Sequence, residues 1–293
     1  MHVFVTGATG WVGSAVVQDL IAAGHTVTGL ARSPEKGDAL AESGAAVRLG
    51  SITDLDLIHD AAGAAEAVVH CAFNHDFSRF LENCAEDERA IGAMGAALQG
   101  SDRPLLVTSG MALIAPGRLA DEDDPTAAHF PRRSEAAALA LLDKGVKAGA
   151  VRLPPSVHGL GDHGFVPRLI AIAREKGVAA YVDEGLNRWA GVHRLDAAKV
   201  YRLALEGGVT RRAYHAIGDE GVPFKDIAGV IGRRLGVPVA SKTPEEATRH
   251  FGWMAPFAGM DLAASGDKTK ALLGWAPVEP GLLADLDQPG YFA

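Results

Sequence analysis

The segment Thr6-Gly7-Ala8-Thr9-Gly10-Trp11-Val12-Gly13-Ser14 follows an extended apolar run, His2-Val3-Phe4-Val5, and opens a stretch of helical apolar spacing. Few folds place glycines in this way. The first allows a tight turn at a strand end, the second lets a ligand approach backbone N–H groups, and the third lets the helix pack close to the strand. Such a turn, with the helix dipole behind it, suits the pyrophosphate of a dinucleotide. In isolation it would be no more than a strand-to-helix turn, so its setting decides.

That setting is a βαβ rhythm. Short β-branched runs at Val3 to Val5, Thr26 to Leu30, Ala46 to Leu49, Ala67 to Cys71, Leu105 to Thr108 and Ala148 to Arg152 alternate with alanine-rich stretches such as Ser14 to Ala23 and Ser134 to Lys144. Parallel strands covered on both faces read this way, so the fold class is α/β with a doubly wound parallel (Rossmann) sheet. From Leu153 onward, Pro154-Pro155, Gly159, Gly161, Gly164 and Pro167 interrupt the helices. This shift predicts a dinucleotide-binding domain at 1–153 and, at 154–293, a smaller α/β substrate-binding cap with some return to the first domain.

With 48% hydrophobic and 22% charged residues, the chain can build a substantial core. The net charge of -8 offers no field for phosphate backbones, and the pairs Arg132-Arg133, Arg211-Arg212 and Arg233-Arg234 lie far apart, which argues against nucleic acid. Cys71 and Cys84 make neither a disulfide framework nor a metal motif, and no apolar run reaches the ~20 residues of a membrane span. No signal-peptide pattern is present, so the expectation is a cytoplasmic protein, monomer or homodimer, acting on a small molecule. No Gly-x-Ser-x-Gly elbow or Walker loop occurs, which removes support for a serine hydrolase or nucleotide triphosphatase. The acidic run Asp121-Glu122-Asp123-Asp124 reads as a solvated loop.

Thr-Gly-x-x-Gly-x-x-Gly resembles the cofactor motif of the extended and atypical short-chain dehydrogenase/reductases, which include nucleotide-sugar epimerases and dehydratases. The resemblance runs along most of the chain. Val69-His70-Cys71-Ala72, Leu106-Val107-Thr108-Ser109 and Val151-Arg152-Leu153-Pro154 are similar to the family's fourth, fifth and sixth strands, and Val192 to Ala198, Phe224 to Ala228 and Leu273 to Pro277 to its later segments. It implies cofactor contacts from Gly7, Thr9, Gly10, Trp11, Val12 and Gly13, from Cys71, Ala72 and Phe73, and from Thr108, Leu153 and Pro154.

Where an acidic residue about 20 positions past the glycines would bind the ribose hydroxyls of NAD, the chain has Ala31-Arg32-Ser33. Arg32 and Ser33 favour the 2′-phosphate, so NADP(H) is expected, with NAD(H) second; the alternative is an exposed arginine at a strand end. At the third strand, Ser51 and Ile52 replace the family's adenine-binding Asp, with Asp54 close by.

The main departure is at Tyr-x-x-x-Lys. Aligning His129-Phe130-Pro131-Arg132-Arg133-Ser134-Glu135 puts Pro131 or Phe130 at the Tyr position and Glu135 or Ser134 at the Lys position. The four tyrosines, Tyr181, Tyr201, Tyr214 and Tyr291, all lie beyond the sixth strand. Candidate catalytic groups are then His163, His158 and Ser109, with His75 nearby; an imidazole titrating near ~6.5 can protonate an alkoxide. A histidine hydrogen-bonded within a loop turn is the alternative for each. His158 and His163 have no metal-ligand spacing, so no metal is expected. The implied function is NADPH-dependent reduction of a small aldehyde or ketone. An epimerase or dehydratase and a non-catalytic NADP-binding sensor are the alternatives.

Overall fold

The computed structural model describes Met1 to Ala293 except Leu113, residues 127–129 and the side chain of Phe77. His129, the first residue of the segment aligned with Tyr-x-x-x-Lys, therefore lies outside the described residues.

All six strands read from the sequence form, with ends shifted by at most two residues: β1 (His2–Thr6), β2 (Thr26–Ala31), β3 (Ala46–Leu49), β4 (Ala67–His70), β5 (Pro104–Gly110) and β6 (Lys147–Leu153). A strand from the last third, β10 (Ala213–His215), pairs with β6, giving a seven-stranded parallel sheet in the order β10-β6-β5-β4-β1-β2-β3. The central strand β4 is wholly buried, which explains its unbroken Ala-Val-Val, whereas the edge strand β3 is mostly exposed. Chain order reverses between β1 and β4. Ligands of such sheets bind beyond the carboxyl ends of the strands at that point.

The covering helices follow from local signals. After the glycines comes α1 (Trp11–Ala22); α2 (Pro34–Glu42) starts with Ser33 accepting from Lys36 N at 3.4 Å and proline in the first turn. α3 (Leu55–Gly63) and α4 (Phe80–Leu98) cover the other face, followed by α5 (Ser134–Leu139). The helix expected from Ser134 to Lys144 is thus broken. Leu141 turns in against Gly95 of α4, where a Cβ would lie 2.4 Å from its methyl, and Gly145 at φ 76° closes the short turn at Leu142–Lys144.

Beyond residue 153, β7 (Ser156–His158), β9 (Arg188–His193) and β11 (Asp219–Pro223) form a three-stranded sheet, while β8 (Ala179–Val182) and β12 (Val239–Lys242) form a pair. α6 (Phe165–Lys176), α8 (Phe224–Leu235), α9 (Pro244–Phe251) and α10 (Ala255–Gly259) enclose a second core around Trp189 and Phe224, which meet edge-on at 5.0 Å. α7 (Arg194–Glu206) instead packs its Val200, Tyr201 and Ala204 face into the core shared by Val16 and Leu20 of α1. α11 (Asp267–Leu273) and α12 (Leu282–Leu286) complete the chain's helices.

The acidic run after β5 is not a solvated loop throughout. Glu122 is only 4% exposed and accepts from Thr269 N and Oγ1, each at 2.7 Å. Asp121 and Asp123 share Lys268 at 2.8 Å. These carboxylates tie the segment after β5 to α11, which sequence composition alone could not reveal.

Candidate active site

At Gly7 the backbone is left-handed, φ 65°, and a Cβ would fall 2.6 Å from Ala72 N. At Gly13 a Cβ would fall 2.0 Å from the Gly7 carbonyl oxygen, so the start of α1 lies directly on the turn. Gly10 N donates to Gly7 O at 2.9 Å, and no side chain caps the helix. The first-turn N–H groups are left for a ligand, a donor set that fits an anionic pyrophosphate. Gly13→Ala should cost about 1–3 kcal/mol through overpacking and weaken dinucleotide binding at least tenfold, read by thermal melting and fluorescence titration. An unchanged titration would show that the turn carries no ligand.

Toward β2 and β3, Arg32 is exposed and makes no ion pair among the described residues, while Ser33 is occupied as the α2 cap. Ser51 Oγ accepts from Thr53 N and Oγ1, Ile52 packs on the core, and Asp54 caps α3 by accepting from Leu57 N at 3.2 Å. Thr9 is half-buried and Val12 packs on the first core.

At the other end, Cys71, Ala72 and Phe73 follow β4, Thr108 and Ser109 stand near the end of β5, and Leu153 and Pro154 end β6. Thr108 Oγ1 is 2.8 Å from the hydroxyl of Tyr201 on α7. Tyr201 is the one tyrosine among the described residues that reaches this end of β5, and it is fully buried. Burial raises its hydroxyl well above the ordinary tyrosine value, so it braces Thr108 and does not titrate near neutrality. Burial likewise pushes the Cys71 thiol up to about 11, against opposing bonds from Thr108 and Tyr201. A thiolate nucleophile is not prepared here.

The loop after β7 brings histidine and tryptophan together. Trp11 Nε1 donates to Val157 O at 2.7 Å, and its ring meets His163 edge-on at 5.7 Å and carries the Arg194 guanidinium at 4.3 Å. His163 is exposed and lies near His75, which packs on Phe73 at 5.3 Å; burial and the Arg132 charge hold His75 below the ordinary imidazole value. Burial raises Asp162, despite its bond from Gly164 N. His158 is set apart from this group. It is fully buried, its Nδ1 lies 2.9 Å from Asp285, and Asp285 also accepts from Tyr291 at 2.6 Å, an arrangement that fastens the C-terminal segment.

Sequence reading missed Arg132 and the polar chain behind it. Nε of Arg132 donates to Ser134 Oγ at 2.9 Å and Nη2 to Thr108 O at 3.0 Å, with the guanidinium 4.1 Å from the Phe73 ring centre. Ser134 donates to Asp87 at 2.6 Å, and Asp87 is 3.0 Å from His70 Nε2. Burial works to raise the Asp87 carboxyl, but His70, Arg132 and Ser134 outweigh it and hold it below the usual carboxylate value. Of the two positions aligned with the family lysine, Ser134 joins this chain and Glu135 is buried and takes Arg152 Nε and Nη2 at 2.8 and 2.7 Å. Arg152 Nη1 also approaches His215 Nε2 at 3.2 Å, and burial lowers His215 to about 4.

Residues 7–152 match the family described as NAD(P)H-binding. An uncharacterized protein of Schizosaccharomyces pombe is 44% identical over 100% of both chains. A 4-hydroxy-2-methyl-3-oxo-4-farnesyl-3,4-dihydroquinoline-1-oxide ketoreductase of Stigmatella aurantiaca is 25% identical, covering 94% of this chain and 92% of its own. In fold, the chain is similar to the dTDP-glucose 4,6-dehydratase DesIV of Streptomyces venezuelae, with TM-score 0.74, 20% identity and coverage of 98% and 96%. With its glycine turn on the first βα unit, its seven-stranded parallel sheet and these relatives, the chain belongs to the NAD(P)H-binding family and has the fold of the epimerase/dehydratase structures.

Proposed function

We propose that the protein is an NADPH-dependent reductase of small aldehydes or ketones. The observation that carries this reading is the uncapped glycine turn opening beside a group of cationic and imidazole side chains at the ends of β4 and β5. The ketoreductase relative supports reduction over epimerisation. When bound, NADPH supplies a hydride to the carbonyl carbon.

The chain's own residues do the rest. Gly7, Gly10 and Gly13 shape the pyrophosphate cradle, and Arg32 pairs the 2′-phosphate. Cys71, Ala72, Phe73, Leu153 and Pro154 wall the nicotinamide end and exclude water. Ser109 and Thr108 line the carbonyl side, and His163 delivers a proton to the oxygen as it gains charge.

The test is titration with NADPH and NADH, followed by nicotinamide absorbance with a panel of aldehydes and ketones. A charge-assisted hydrogen bond contributes roughly 1.5–3 kcal/mol, so Arg32→Ala should cut the preference for NADPH by about one to two orders of magnitude. Equal affinity of the unmodified protein for the two cofactors would make Arg32 a surface cation. Tight binding without turnover on any carbonyl would leave a cofactor sensor in place of a reductase.

A further inference from the structure

Arg132 is held in place from behind by side chains that lie far apart in sequence. Thr6 Oγ1 is 2.6 Å from His70 Nδ1, His70 Nε2 is 3.0 Å from Asp87, Ser134 donates to Asp87 at 2.6 Å, and Arg132 Nε donates to Ser134 at 2.9 Å. Ala72 N donates to Thr6 Oγ1 at 3.4 Å. Each donor meets an acceptor when the His70 proton sits on Nε2, the assignment this network requires. Thr6, His70, Asp87 and Ser134 are each at most 1% exposed. The chain thus runs from the glycine turn to Arg132 through the protein interior. Supporting bonds of this kind fix a side chain's geometry far more tightly than a surface arginine needs.

What the guanidinium faces is the informative part. One N–H goes to Ser134 and one to Thr108, while Nη1 has no hydrogen-bond partner among the described residues. Among the described residues it makes no ion pair either; Asp87, the carboxylate behind it, is engaged by His70 and Ser134. Burial pulls Arg132 below its ordinary value against the charge of Asp87. A half-buried cation with unused donors near the carboxyl ends of the strands is matched best by an anion. Arg132 shares the Phe73 ring with His75, while His163 and Arg194 pack on Trp11, although the whole chain carries a net charge of -8. The uncapped α1 N-terminus is the part assigned to the pyrophosphate, and Arg194 lies beside it on Trp11, whereas Arg132 is tied to β5 and Phe73.

We propose that Arg132 binds the carboxylate of the substrate through Nη1, so that the carbonyl compound taken by this site is an oxo acid. The proposal rests on the reductase reading and narrows it. Carboxylate binding makes and breaks no covalent bond. The acid group anchors the substrate while the neighbouring carbonyl is presented to the reactive end of the cleft.

Oxamate has the shape and charge of a short 2-oxo acid and is not readily reduced, so its binding can be measured by calorimetry without turnover. With the NADPH-saturated protein, saturable oxamate binding is expected. Arg132→Gln should weaken it at least tenfold, and Arg132→Lys should restore part of it, with NADPH affinity unchanged within about twofold in both. The proposal is overturned if the unmodified protein binds NADPH but not oxamate, or if Arg132→Gln binds oxamate normally. It is equally overturned if NADPH affinity falls in the same proportion as oxamate affinity, since Arg132 would then serve the cofactor. Should Arg132→Gln fail to fold, Arg132→Lys decides: normal oxamate binding contradicts recognition through Nη1 of the guanidinium, and a several-fold loss upholds it. Failure of the unmodified protein to bind NADPH would instead remove the reductase reading itself.

Discussion

Glu135→Lys, at one of the two positions that align with the family's lysine, is expected to destabilise the protein by about 3–5 kcal/mol or more. Arg152 is 1% exposed and Glu135 3%, and both terminal oxygens of Glu135 are used by its guanidinium. Removing one partner of a buried pair leaves the other charge uncompensated, and a lysine adds repulsion. The remaining acceptors of Arg152 are the Asp124 carbonyl at 2.7 Å, a long contact to Asp121 O at 3.5 Å and His215 at 3.2 Å, none of which carries a negative charge. Urea unfolding of the variant beside Glu135→Gln measures the effect. A midpoint equal to that of the unmodified protein would mean that the pair contributes nothing to folding.

His163→Ala should lower turnover by roughly 10²-fold, with NADPH affinity nearly unchanged, if His163 is the proton donor of the proposed reductase. The histidine touches Trp11 and lies near His75, whereas His158 is locked to Asp285 inside the fold and is a poorer candidate. Only the transition state would lose the interaction, so kcat and kcat/KM should fall together. Turnover that matches the unmodified protein across neutral pH would assign the proton to solvent. The same experiment on His158→Ala should instead lower the melting temperature, because its partner Asp285 also holds Tyr291 and Gln288.

The main sheet was legible because its strands announce themselves. Ala67-Val68-Val69 is buried on both faces and therefore reads as an unbroken apolar run, and Gly7 and Gly13 report backbone contacts that a side chain would break. β10 escaped notice since three residues, Ala213–His215, have no measurable periodicity. Arg132 was passed over for a different reason. Its meaning depends on partners at Ser134, Thr108 and Phe73, and behind them on Asp87, His70 and Thr6, whose separations in sequence follow no motif. Tyr201 was set aside by its place in the chain, yet α7 folds back and carries it to Thr108. Charge patterning also misled at Glu122, where an acidic run enters the interior to meet Thr269. Tertiary hydrogen bonding decided each case, and residue type could not anticipate it.

The return of α7 and β10 to the first sheet bears on how the protein is made. On a ribosome, Leu153 emerges well before His215, and 62 residues separate them. At roughly 5–20 residues per second, the unfinished sheet waits about 3 to 12 s for its last strand. Through that interval β6 has an unpaired edge, and Val16 and Leu20 of α1 lack the helix that covers them. The nascent chain is therefore most open to chaperone capture or mispairing at this stage, and synonymous codon changes that slow translation between β6 and β10 would lengthen the exposure without altering a single residue.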